Sequence, residues 1–95
     1  MIMFFSRTAK KKGLILDILA EHPKGLFGSE IVAYSDKKLS MGNVYVYLGN
    51  LVDQGQVSYE RVEDGNPIPR TRFKIMKAGH RARATHLIKH QLLSI

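Results

Sequence analysis

Four side chains in one stretch have the chemistry to read another molecule. In residues 40–57, SMGNVYVYLGNLVDQGQV, the apolar Val44, Leu48 and Leu51 recur at i, i+4 and i+7, the spacing of one helix face. Asn43, Val46, Tyr47 and Asn50 fall on the other side. Asparagine amides make paired hydrogen bonds to adenine edges, and apolar groups touch thymine methyls. Such a face suits an A·T-rich base surface. Tyr45 stands beside the apolar stripe, so its ring is expected to be buried, with the hydroxyl reaching a phosphate or a backbone group. Further on, Arg70, Arg72 and Lys74 alternate along one strand face and suit a phosphate backbone. Lys37, Lys38, Lys10 and Lys12 can do the same at helix starts, and Arg61 is a further backbone candidate.

Other chemistries find less support. His86 and His90 have the i, i+4 spacing of two metal ligands on a helix, but no third ligand accompanies them. Neither a metal nor a cofactor is expected. No Ser, His and Asp arrangement recommends itself, no glycine-rich phosphate loop follows a strand, and the carboxylates are scattered. Catalysis is not expected. Gly42 is read as room for close approach of the preceding helix.

The elements that must hold these residues can be read from period and punctuation. LILDILAEH is a helix burying Leu14, Ile15, Ile18 and Leu19; RTAKKK forms its first turns, and His22-Pro23 ends it. PKGLFG is an extended connector. SEIVAYSD is a second helix, with Ser29 as a candidate cap and Ile31 and Val32 facing inward. Ser40 can cap a third helix, and Gly55 can end it. QVSYERV and RTRFKIM alternate around the turn-rich EDGNPIP, giving a two-stranded hairpin whose tip carries Glu63 and Asp64. From Lys77 to about Ser94 the period is helical again.

Composition sets the limits. Ninety-five residues make one domain, and 44% hydrophobic with 24% charged residues reads as globular. Cysteine is absent, which excludes a disulfide framework and suits a reducing compartment. MIMFF is too short for a membrane span and lacks the charge order of a signal peptide, so a cytoplasmic, nucleoid-associated protein is expected. The net charge of +7 is uneven: residues 70–95 hold seven bases and no acid. That balance favours a polyanionic partner.

Helix, helix, helix, hairpin, helix is the order of a winged helix-turn-helix. The expected fold is mainly α, with three helices, a two-stranded β-wing and an added C-terminal helix. The third helix of such a unit fits the major groove of DNA. The pattern Ser40, Gly42, Val44, Tyr45, Leu48, Leu51 and Gly55, followed by Phe73 and Gly79, resembles the PadR-type transcriptional regulators over roughly residues 13–82. Where that family has proline before the motif glycine and threonine after it, this chain has Met41 and Asn43. Where it has a basic residue near position 50, this chain has Gly49-Asn50.

The resemblance implies a sequence-specific binder of double-stranded DNA, a dimeric regulator of the short form and a repressor. Residues 1–76 would bind DNA and 77–95 would dimerise. Ser40, Met41, Asn43, Tyr45 and Tyr47 are placed at the groove, with Lys37, Lys38, Arg61, Arg70, Arg72 and Lys74 on the backbone. Phe4, Phe5, Leu87, Ile88, Leu92 and Leu93 are more apolar surface than a short monomer covers, and would pair with a second copy. No effector-binding domain is visible. The alternative function is a winged-helix adaptor that binds protein without reading DNA.

Overall fold

Helix α1 (Arg7–Ala20) starts in the basic run and turns apolar midway, so only its second half is anchored, through Ile15, Leu16, Ile18 and Leu19. Leu14 rests partly buried against the core, and Leu16 takes the fully inward place expected of it. The helix packs against both of the helices that follow it and against the sheet, which widens its buried arc. In this computed structural model residues 7–63, 65 and 67–84 are described. Past Ala20 the chain turns at His22, whose Nδ1 lies 2.8 Å from the Ile18 carbonyl oxygen and whose ring stacks on Tyr34 at 4.4 Å.

The connector holds a short strand, β1 (Leu26–Phe27). Helix α2 (Gly28–Tyr34) begins one residue before Ser29 and needs no side-chain cap from it. Instead the Glu30 carboxylate accepts the Phe27 N–H at 2.8 Å, half of a capping box. Ile31 is fully buried, and Val32 is partly so.

Helix α2 ends at Tyr34, two residues earlier than its sequence suggests, because Ser35 is diverted into the turn. Its buried Oγ donates to the Val32 carbonyl at 2.7 Å and accepts the Leu39 N–H at 3.1 Å. Asp36 and Lys37 then adopt positive φ, 54° and 67°. Two consecutive non-glycine residues in that region are costly, and Asp is the better tolerated.

Helix α3 (Met41–Asp53) forms where its spacing predicts, with Val44, Leu48 and Leu51 fully buried. Its start is a complete capping box: Ser40 Oγ accepts the Asn43 N–H at 3.2 Å, and Asn43 Oδ1 accepts the Ser40 N–H at 3.0 Å. It ends in a Schellman arrangement around Gly55 (φ 72°), where Gln56 N–H donates to Leu51 O and Gly55 N–H to Val52 O, both at 2.9 Å.

Strands β2 (Val57–Val62) and β3 (Arg70–Ile75) form the hairpin, in register from Val57↔Ile75 to Val62↔Arg70. The sheet has three strands rather than two, in order β1-β3-β2, because Leu26 pairs with Phe73 and Phe27 with Arg72. Residues 77–84 are helical (α4). Arg83 Nε on α4 reaches Asp17 Oδ1 on α1 at 2.6 Å. The core is one cluster joining α1, Leu26, Ile31, Leu39, α3, Val57 and Phe73. This is a winged helix-turn-helix.

Candidate nucleic-acid interface

Docking the stripe of α3 inward leaves its far side open. Val46 is 61% exposed, Met41 48% and Tyr45 49%, and Gly42, Gly49, Asn50 and Asp53 are also exposed. Asp53 is the single charged residue of α3.

The two tyrosines exchange the places expected of them. Tyr47 is half-buried and packs on the core. It stands at i+3 from Val44 and i−4 from Leu51, so helical spacing alone puts it beside the stripe. Tyr45 is the exposed one. Its ring lies 6.4 Å from that of Phe73, and its hydroxyl rests on the first turn of α2, where a Cβ on Gly28 would come within 2.5 Å of it.

Neither asparagine has both ends of its amide free. Asn43 Oδ1 is engaged in the cap, and Asn50 Nδ2 donates to the Val46 carbonyl at 2.9 Å. Gly42 is not a point of helix contact either. A Cβ there would meet only Ser40 Oγ at 3.7 Å, and one on Gly49 would meet nothing within 4 Å.

The cations absent from α3 gather beside its start. Arg7, Lys10, Lys11 and Lys38 line a cleft of about 470 Å³ with Leu14 at its apolar wall. Lys11 Nζ donates to the Lys38 carbonyl, which ties α1 to the α2–α3 link. Lys37, in its strained turn, adjoins them. Lys12 points elsewhere, toward Gln54 Oε1 at 3.4 Å. Of this group, Arg7 and Lys11 were not singled out from sequence, because nothing local shows that the first turns of α1 meet residue 38.

The wing sorts its charges between two faces. Phe73 points into the core, so alternation sends Arg70, Arg72 and Lys74 to the opposite, outer face, away from α3. There the Arg70 guanidinium sits 4.0 Å over the Phe27 ring and that of Arg72 at 5.4 Å. Glu60 lies 3.6 Å from both Arg72 and Lys74. Ion pairs this exposed contribute at most about 1 kcal/mol. On the inner face, Tyr59 and Arg61 are cross-strand partners of Phe73 and Thr71. Tyr45, Gly49, Tyr59 and Phe73 help line a second cleft, about 320 Å³, between α3 and the hairpin. Tyr59 was missed from sequence, although hairpin register places it opposite Phe73.

Phe4, Phe5, Leu87, Ile88, Leu92 and Leu93, and the pair His86 and His90, lie outside the described residues. Among the described residues no three His, Cys, Asp or Glu side chains gather as a metal site, and no helix is long and apolar enough to cross a membrane.

An exposed third helix, a basic cleft at its start and a wing make up this winged helix-turn-helix. Solved structures share it closely. The chain superposes on a PadR-like transcription factor from Bacteroides fragilis with TM-score 0.81 and 22% identity, covering 93% of this chain and 86% of that one. A PadR family transcription regulator from Clostridium difficile matches with TM-score 0.76 and 16% identity, over 88% of this chain and 90% of that one. Bacillus subtilis PadR, solved in complex with operator DNA, matches with TM-score 0.73 and 20% identity, over 81% of this chain but 46% of that one. No protein-family model matches the chain, and no curated protein matches it in sequence. The fold is the winged helix of these PadR-named proteins.

Proposed function

We propose that this protein is a transcriptional regulator that binds double-stranded DNA, with α3 in the major groove. The observation that carries the reading is the exposed, neutral side of α3 together with the cleft of Arg7, Lys10, Lys11 and Lys38, whose Lys38 lies two residues before the Ser40 cap. A neutral helix in a groove supplies little affinity by itself, because phosphate neutralisation provides much of it. The cleft, with Lys37, supplies the missing charge on the side where the N-terminus of α3 approaches the backbone. Ser40, Met41 and Tyr45 lie at the groove, with Asn43 able to offer only its Nδ2. On the wing, Arg61 is on the face shared with Tyr59 and takes phosphate most directly. Arg70, Arg72 and Lys74 reach DNA only past the edge of the hairpin.

The operator complex of the Bacillus subtilis protein supports the same use of this fold. The reading includes a homodimer formed through residues 77–95 and the N-terminal extension, acting as a repressor in the cytoplasm, without catalysis. A two-fold pair of such domains meets half-sites one helical turn, roughly 34 Å, apart.

Selection of bound duplexes from a random pool tests this directly. A recovered inverted repeat with that spacing is the expected result. Recovery of no enriched sequence, together with no retention of duplex at low salt, would favour the protein-binding adaptor instead.

A further inference from the structure

The manner in which α3 discriminates bases follows from which of its groups remain available. Arg or Lys reads guanine, and α3 contains neither. Asn reads adenine with both amide ends, and one hydrogen bond inside the helix already restricts the orientation of each of Asn43 and Asn50. The part of this face with no such commitment is apolar. Val46 is the most exposed large apolar residue of α3, at 61%. Gly42 and Gly49 stand one turn before and after it, and both positions have open space where a side chain would be. A mid-helix glycine such as Gly49 costs roughly 1 kcal/mol against alanine. No contact within the described chain explains either of them. They leave the valine standing clear of its neighbours, on a surface that another molecule can approach to backbone distance.

We infer that α3 reads sequence by apolar contact, with the Val46 isopropyl group against the 5-methyl of a thymine. This deepens the DNA-binding reading and rests on it. Asn43 and Asn50 then shape the helix rather than select the base.

Deoxyuridine separates the possibilities, because it lacks only the methyl and keeps every hydrogen-bonding edge of thymine. The wild-type protein is titrated with its selected duplex and with versions carrying one thymine-to-deoxyuridine change at a time. One position per half-site is expected to weaken binding about four-fold, the worth of one buried methyl. Val46→Ala should bind the thymine and deoxyuridine duplexes equally, and Asn50→Ala should retain the four-fold difference. Equal binding of all deoxyuridine duplexes by the wild type would overturn the inference while leaving DNA binding intact. So would a penalty that survives in Val46→Ala. Absence of binding to any duplex at low salt would instead remove the DNA reading, and this inference with it.

Discussion

Ser40 and Asn43 show how one half of a capping box can be legible in sequence and the other half hidden. Ser40 was legible as a cap because an oxygen-bearing side chain directly precedes the apolar period. Asn43 has the chemistry of a base reader, and nothing local distinguishes that from the reciprocal half of a capping box. The geometry assigns its Oδ1 to the box. Ser40→Ala and Asn43→Ala should each lower stability by about 0.5–2 kcal/mol. The double variant should cost less than the two losses added, because both cut the same box. Urea denaturation of the three variants checks this, and strict additivity would contradict it. Ser35 is a similar case of hidden bonding. It is 2% exposed and holds both sides of the α2–α3 turn, so Ser35→Ala leaves the Leu39 N–H unsatisfied. A loss of about 1–3 kcal/mol is expected in the same assay.

The long elements were readable because period and punctuation agree: α3 has its stripe, its cap and its glycine stop in the expected places. What escaped depends on contacts distant in sequence. β1 is two residues long, too short for any alternation, and exists only because β3 offers it an edge. The split of the wing into a cationic outer face and a Tyr59–Arg61 inner face needed the register as well as the alternation. The glycines separate these two kinds of information. Gly55→Ala forces a side chain into φ 72° and should destabilise by about 1–2 kcal/mol. A Cβ at Gly79, on α4, would collide with the Gln56 carbonyl, so Gly79→Ala should cost about 1–3 kcal/mol. Gly49→Ala should have the opposite sign, stabilising by roughly 1 kcal/mol while weakening duplex binding. Thermal unfolding and a binding titration of that one variant measure both. A stabilised variant with unchanged binding would show that nothing approaches this face closely.

At the scale of the molecule, charge is separated from the surface proposed to select sequence. α3 is nearly neutral, while the cations sit at its start and on the wing, so affinity and specificity should respond to different changes. The charge asymmetry was evident in the sequence, but only the meeting of α1 with residue 38 gathers Arg7, Lys10, Lys11 and Lys38 into one cleft. The most direct test of this account is the salt dependence of binding to duplex DNA, for the wild type and for Lys10→Ala/Lys38→Ala. Log K should fall linearly with log salt at about −0.9 per neutralised phosphate, and the variant should be shallower by roughly 1.8 for each protomer bound. No binding at low salt, or a slope the two substitutions leave unchanged, would contradict it.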